Sequence, residues 1–172
     1  LPDQLSWKQE FDETGRIARL VNPAGEAITY SYSEDAGGVS TVVKTDYNGE
    51  KVQFVNDKNG RLMSMIDNKG RVNFLYDEMG RISQLQRENE PPVGYSWDLQ
   101  NRLTLLTVGE QYKTGYAYDF LGRISKITTP AGEITYSYQA GQGTVTSTLP
   151  NGSKPIWEFG VNGQLLTLTH ID

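Results

Sequence analysis

Five aspartates recur along the chain, and an arginine follows each of them four residues later. The pairs are Asp12 and Arg16, Asp57 and Arg61, Asp77 and Arg81, Asp98 and Arg102, and Asp119 and Arg123. Repeated acidic loops are one way in which repeat proteins bind calcium, and a row of arginines would attract an anionic ligand. Each loop supplies only about one carboxylate, however, whereas calcium takes roughly six to eight oxygen ligands. The pattern therefore favours aspartates that cap turns and pair with the arginines across the loop.

Other residue types that carry catalysis are scarce. The chain has one histidine, His170, and no cysteine. A lone histidine cannot build a histidine-based metal site or a catalytic triad, and the sequence has no Gly-x-Ser-x-Gly elbow, phosphate loop or dinucleotide fingerprint. We therefore predict that the protein is not an enzyme and has no catalytic residue, no cofactor and no metal site.

Two pairs of tyrosines form a pattern that is typical of a binding surface. Tyr30 and Tyr32, and likewise Tyr136 and Tyr138, are two residues apart, which places both members of a pair on one face of a strand. Exposed aromatic rows bind sugars or partner proteins in many β-proteins. The alternative, which we prefer, is that these rings pack as core inside the curve of the sheet. Their solvent exposure distinguishes the two interpretations.

The aspartates and arginines belong to a repeated string, aromatic-Asp-x-x-Gly-Arg. It is complete in Phe11 to Arg16, Tyr76 to Arg81 and Tyr118 to Arg123, and weaker around Asp57 and Asp98. Successive arginines from Arg61 to Arg123 are 20, 21 and 21 residues apart. A fixed period of this size indicates one supersecondary unit copied along the chain.

The fourth residue of each string predicts the turn. A glycine after two turn residues closes a short hairpin loop in the left-handed conformation, so we expect positive φ at Gly15, Gly60, Gly80 and Gly122. Asn101 takes this position in the string around Asp98 and is the other residue type that tolerates positive φ. The string is thus predicted to be a hairpin turn.

Short Thr-, Val- and Tyr-rich runs lie between the turns, and they predict about sixteen antiparallel strands. Residues 33–54 carry an extra hairpin, and residues 16–32 recur as 123–138. Apolar residues after each arginine are spaced by three, as in Ile82 and Leu85, and we attribute this to a bulged or strongly twisted strand that changes face, because the runs are too short and too closely bounded by glycine for a helix. The predicted fold is all-β, with antiparallel β-hairpin repeats forming a twisted, curved ribbon.

Composition sets the remaining limits. The 172 residues are 37% hydrophobic and 22% charged, which suits a globular domain. A net charge of -5 argues against a nucleic-acid partner, and the sequence has no apolar run of the length that a membrane helix needs, so we expect no membrane insertion. The chain has no initiator methionine and ends in what resembles an unfinished strand. We expect residues 1–172 to be a single repeat-array segment of a larger protein.

The strings, with intervening motifs such as Pro130-Ala131-Gly132 to Tyr138, resemble the YD repeats of bacterial Rhs proteins, insecticidal toxin complexes and animal teneurins. The resemblance covers nearly the whole chain. It implies a spiralling antiparallel β-ribbon that forms a hollow shell, which in Rhs and toxin-complex proteins encloses a C-terminal toxin. The self-cleaving acidic core of that family has no match here, because the chain contains no Asp-Pro dipeptide.

The resemblance implies a non-enzymatic structural segment of such a shell, which encapsulates or presents a C-terminal toxin in a secreted or cell-surface protein. Its partners would be the neighbouring repeats of the parent protein and an encapsulated toxin. The alternative is an adhesion or carbohydrate-binding module of a cell-surface protein, in which Tyr30, Tyr32, Tyr136 and Tyr138 would contact a carbohydrate or a surface protein.

Overall fold

The computed structural model describes residues 6–139, 141 and 143–171, and in these it contains sixteen β-strands and no helix. The strands are β1 (Lys8–Phe11), β2 (Ile17–Val21), β3 (Ala27–Glu34), β4 (Ser40–Thr45), β5 (Lys51–Asn56), β6 (Leu62–Asp67), β7 (Gly70–Tyr76), β8 (Ile82–Arg87), β9 (Val93–Trp97), β10 (Leu103–Val108), β11 (Tyr112–Tyr118), β12 (Ile124–Thr129), β13 (Gly132–Gln139), β14 (Thr144–Thr148), β15 (Ile156–Phe159) and β16 (Leu165–Thr169). The predicted all-β fold of hairpin repeats is confirmed. Over the same residues, no helix has the length and apolar character required to cross a bilayer.

The strands fall into two compact units, unit 1 (Leu1–Glu90) and unit 2 (Pro91–Asp172). Unit 1 holds β1 to β8 and unit 2 holds β9 to β16. Within each unit every strand pairs with the next strand of the chain, and every such pair is antiparallel. The extra hairpin predicted over residues 33–54 is present in unit 1, where β4 lies between β3 and β5.

The Asp-x-x-Gly-Arg strings form the turns of alternate hairpins. In the turn between β7 and β8, the backbone N–H of Asp77 donates to the carbonyl of Arg81, and that of Gly80 donates to the carbonyl of Asp77. The backbone angle φ at the fourth position is between 79° and 82° at Gly15, Gly60, Gly80 and Gly122, and it is 62° at Asn101. The predicted positive φ is therefore confirmed at all five positions.

A bulge follows each of these turns and explains the apolar spacing of three. Tyr76 pairs with Ile82 and Leu75 pairs with Gln84, so Ser83 is an extra residue on β8. The extra residue shifts the alternation by one, and Ile82 and Leu85 consequently lie on the same face. The same shift occurs after the other strings, which confirms the predicted bulged strand.

One face of the sheet in each unit carries most of the large apolar side chains. In unit 1 the cross-strand partners on this face run through Tyr32, Val42, Phe54, Met65 and Val72. The first four of these side chains are half-buried, and Val72, at 9% exposure, is the most enclosed of the hydrophobic side chains among the described residues. Each unit is thus a single sheet layer whose apolar face is packed laterally between neighbouring strands.

The turn geometry makes Gly80 a sensitive position. Replacing Gly80 with Val is expected to lower the free energy of unfolding by about 1 to 3 kcal/mol, because a β-branched residue must adopt φ near 79° there. Nothing lies within 4 Å of a Cβ built at this glycine, so the expected loss is backbone strain alone. Urea denaturation measures it. Gly80→Asn is the control and should lose less, because Asn101 adopts positive φ at the equivalent position of its own turn. Equal midpoints for Gly80→Val and the parent would contradict the turn assignment.

Candidate functional site

Each string uses its aspartate to organise the whole turn. Oδ1 of Asp77 accepts hydrogen bonds from the backbone N–H groups of Met79 (3.0 Å) and Arg81 (2.9 Å). Its other oxygen, Oδ2, lies 2.8 Å from Nε and 2.7 Å from Nη2 of Arg81. One carboxylate therefore accepts hydrogen bonds from two backbone N–H groups of the turn and from the guanidinium of the arginine that follows it.

The same ion pair is present in all five strings. The closest nitrogen-to-oxygen distance in each is 2.7 or 2.8 Å, for Asp12 and Arg16, Asp57 and Arg61, Asp77 and Arg81, Asp98 and Arg102, and Asp119 and Arg123. This is the placement that the four-residue spacing predicts. The carboxylates lie in separate turns, and the described part of the chain contains no group of three or more side chains arranged to hold a metal ion.

In four of the strings, the described residues include a second contact of the arginine, with a tyrosine on the strand that follows its own. The guanidinium carbon lies 4.1 to 5.4 Å from the centre of the tyrosine ring, which is within cation-π range. The pairs are Arg16 and Tyr32, Arg61 and Tyr76, Arg102 and Tyr118, and Arg123 and Tyr138.

The hydroxyl of each of these tyrosines returns to the backbone of the same hairpin. It donates to the carbonyl of the residue directly after the arginine, at 2.7 or 2.8 Å. The acceptors are the carbonyls of Ile17, Leu62, Leu103 and Ile124. Asp, Arg and Tyr thus form one contact, here called the Asp-Arg-Tyr clasp, which ties a turn to the next strand of the sheet.

The tyrosine of the clasp was missed in the sequence. A signal was available, because the tyrosine follows its arginine by 15 or 16 residues in every case, from Arg16 and Tyr32 to Arg123 and Tyr138. That nearly constant separation is the length of one strand, a short turn and the return strand. It would have identified the tyrosine partners of Arg16, Arg61, Arg102 and Arg123.

Of the four tyrosines that the sequence suggests as a binding face, two belong to clasps and two do not. Tyr32 and Tyr138 belong to clasps, so their hydroxyls and one side of their rings are occupied. Tyr30 and Tyr136 lie two residues earlier on the same strand faces and belong to no clasp. All four side chains are half-buried.

The donors of the turn keep the aspartates ionised. The pKa of each of the five carboxyls lies below its usual value. At Asp77 the main cause is the hydrogen bond from the Arg81 side chain, followed by the one from its backbone. At Asp119 partial burial acts in the opposite direction and raises the pKa, but the side-chain and backbone donors of Arg123 outweigh it.

These lowered pKa values predict acid sensitivity. In the unfolded chain an aspartate has a pKa of about 3.9, so as the pH falls the unfolded state binds protons before the folded state does. The stabilisation from the five carboxylates is therefore complete above about pH 5 and is lost progressively as the pH falls toward the folded pKa values. We expect the urea midpoint to be flat between about pH 7 and 5 and to drop steeply below about pH 4.

The matched variant for this measurement is Asp77→Asn, which keeps an acceptor oxygen but cannot titrate. Its midpoint should be lower than that of the parent at neutral pH and should fall less on acidification. A parent midpoint that stays constant down to about pH 2 would show that the five turn carboxylates do not contribute to folding.

Comparison with known proteins identifies the family of the chain. The sequence model of the family described as Teneurin YD-shell matches residues 64–170, which is more than half of the chain. The probable deoxyribonuclease RhsB of Dickeya dadantii (strain 3937) is 36% identical over 59 residues, which cover 29% of this chain and 4% of that protein.

Solved structures show the same fold. A crystal structure of TcdB2-TccC3 matches with a TM-score of 0.70 and 16% identity, over 92% of this chain and 9% of that one. The structure of TcdB2-TccC3 without its hypervariable C-terminal region matches with a TM-score of 0.64 and 14% identity, over 94% of this chain and 11% of that one. The chain therefore spans only a small part of the length of these relatives. Because the family model matches residues 64–170 and the chain carries the repeated turns, the chain belongs to the Teneurin YD-shell family of YD-repeat proteins.

Proposed function

We propose that this chain is a non-enzymatic structural segment of a YD-repeat shell that encapsulates or presents a C-terminal toxin in a secreted or cell-surface protein. The observation that carries the structural role is the Asp-Arg-Tyr clasp. In the clasp of Asp98, Arg102 and Tyr118, the carboxylate, the guanidinium and the hydroxyl are bonded to one another or to the backbone, so the polar side chains that recur most regularly tie neighbouring strands together.

The toxin partner is supported by the structural neighbours. They are complexes of TcdB2 with TccC3, and one of them is described as lacking a hypervariable C-terminal region. That region belongs to those proteins. We extend it to the parent of this chain as a proposal, in which neighbouring YD repeats complete the wall and the toxin lies behind it.

Limited proteolysis of the full-length parent protein tests the shell. We expect the segment that follows the YD repeats to resist protease in the native protein and to be cut rapidly once the repeats are unfolded with urea. A parent that carries Gly80→Val should lose this protection at a lower urea concentration. Cleavage of the C-terminal segment at the same rate with the repeats folded or unfolded would contradict encapsulation.

The non-enzymatic part has a separate test on the 172-residue chain. We expect no turnover in screens for hydrolase, nuclease and transferase activity, because the carboxylates and guanidinium groups of the five repeated strings pair with each other within the turns. Turnover that disappears when a single residue is replaced would contradict this expectation.

A further inference from the structure

The turn between β14 and β15 has the backbone of the repeated turns but a different residue at its first position. The N–H of Leu149 donates to the carbonyl of Ser153, and the N–H of Gly152 donates to the carbonyl of Leu149, both at 2.9 Å. Gly152, at the fourth position, has φ of 89°. Leu149 therefore stands where the repeated strings have their aspartate, and the segment is here called the 149–153 turn.

Because the first position of the 149–153 turn has no carboxylate, another side chain accepts the N–H at its fifth position. Oδ1 of Asn151 accepts hydrogen bonds from the backbone N–H of Ser153 at 3.1 Å and from the Ser153 hydroxyl at 2.9 Å. Within the described part of the chain, Nδ2 of Asn151 donates no hydrogen bond. The turn thus holds the side-chain amide by its oxygen and leaves its nitrogen available.

Asn151 lies at the exposed tip of a turn whose base is fixed. Asn151 and Gly152 are both exposed, and a Cβ built at Gly152 meets nothing within 4 Å. Pro150, the residue before them, lies so close to the start of β13 that it leaves no room for a Cβ at Gly132. A bulky group on Nδ2 of Asn151 would therefore extend into solvent without displacing a packed side chain.

The residue types at this tip are those of a modification site. Asn151-Gly152-Ser153 is the tripeptide Asn-x-Ser/Thr, in which x is not proline, and this tripeptide is the acceptor for N-linked oligosaccharides in exposed turns. No other asparagine of the sequence is followed two residues later by serine or threonine. The spacing therefore singles out one asparagine of the chain.

Unit 1 has a similar turn that lacks the required hydroxyl. Asn48 precedes a glycine with positive φ, as Asn151 does, but the residue two positions later is Glu50. In that turn Oδ1 of Asp46 accepts the backbone N–H groups of Asn48 and Glu50, at 2.9 and 3.0 Å. Asn48 is thus an exposed Asn-Gly residue without the tripeptide, which makes it the matched control.

We propose that Asn151 is an acceptor site for an N-linked oligosaccharide. In the transfer, Nδ2 of Asn151 forms a bond to the anomeric carbon of an oligosaccharide carried on a lipid diphosphate, and the bond between that carbon and the diphosphate oxygen breaks. The lipid diphosphate leaves, and one proton of Nδ2 passes to a base of the oligosaccharyl transferase. The donor and the transferase are supplied by the secretory pathway of a eukaryotic cell.

The position of Asn151 keeps the glycan away from the clasps of unit 2. Successive hairpin turns lie at alternate edges of an antiparallel sheet. The Asp-x-x-Gly-Arg turns of unit 2 follow β9 and β11, whereas the 149–153 turn follows β14 and lies at the opposite edge. The modification therefore leaves the contacts that tie the strands together intact, and the site is independent of the proposed shell role.

Secretion of the 172-residue chain from a eukaryotic cell line, behind a cleavable signal peptide, tests the proposal. We expect intact-mass measurement to show the increment of a single glycan, and peptide-N-glycosidase in heavy-oxygen water to remove it and convert Asn151 to labelled Asp. Asn151→Gln and Ser153→Ala should each lose the whole increment. Ser153→Thr keeps the hydroxyl and should retain it.

Asn48→Gln is the matched control and should carry the same increment as the parent. Secreted and cell-retained fractions are both measured, so a variant that is secreted poorly is still scored, and cleavage of the signal peptide shows that the chain reached the compartment of the transferase. A signal-cleaved parent chain without the increment, an increment that persists in Asn151→Gln, or its loss in Asn48→Gln would each overturn the proposal.

Discussion

Replacing Gly132 with Ala is expected to lower the free energy of unfolding by roughly 3 to 5 kcal/mol, which is a large share of the stability of a typical domain. Gly132 opens β13 after a two-residue loop and has φ of 129°, a conformation that L side chains rarely adopt. A Cβ built there also lies 2.7 Å from Cβ and 3.0 Å from Cγ of Pro150. Because the proline ring is tied to its own backbone, it cannot swing aside, and steric overlap adds to the backbone strain.

Gly70→Ala separates the two contributions. Gly70 opens β7 after an equivalent two-residue loop and has φ of 116°, but a Cβ at this position meets only Oε2 of Glu88, at 4.0 Å. We expect a loss of about 1 to 3 kcal/mol from strain alone. Urea denaturation of both variants gives the difference. Equal losses at the two positions would show that the contact with Pro150 does not restrict Gly132.

Replacing Tyr118 with Ala is expected to cost about 3 kcal/mol, because the clasp loses three interactions at once. The ring lies 4.5 Å from the guanidinium of Arg102, the hydroxyl donates to the carbonyl of Leu103 at 2.7 Å, and the side chain lies beside Ile124 on the paired strand. The ring supplies most of the stabilisation, so Tyr118→Phe should cost only about 1 kcal/mol, for the hydroxyl. Thermal and urea unfolding measure both variants.

Tyr112, at the other end of the same strand, is the control residue. It is 66% exposed and belongs to no clasp, so Tyr112→Ala should change the stability by less than about 0.5 kcal/mol. If Tyr118→Ala were no more destabilising than Tyr112→Ala, the clasp would be an incidental contact of the folded sheet rather than a source of its stability.

Much of the fold was predictable because its information is local. The Asp-x-x-Gly-Arg turn depends on hydrogen bonds within five residues, and a glycine or asparagine is needed at its fourth position whatever the rest of the chain does. The bulge was also readable, since it shifts the apolar alternation of a single strand, as at Ile82 and Leu85.

The sites were less predictable because they join residues from different strands. The spacing of Asp77 and Arg81 predicts their pairing, but the partner of Arg102 on the next strand, Tyr118, depends on the register between β10 and β11. The shallow depression lined by Tyr136, Tyr138 and Trp157 shows the same limit. Tyr136 and Tyr138 stood out as a pair, while Trp157 joins them only through the pairing of β13 with β14 and of β14 with β15.

By itself the sequence determined the period, the turns, the bulges and the antiparallel all-β class, because each follows from backbone conformations set within one hairpin. The tertiary structure alone decided which tyrosine closes over which arginine, why Gly132 has less room than Gly70, and which of two similar tyrosine pairs lies near a tryptophan. These outcomes depend on register and on the side chains of neighbouring strands. A one-residue change in a loop, as between residues 16–32 and 123–138, alters them without disturbing the repeat.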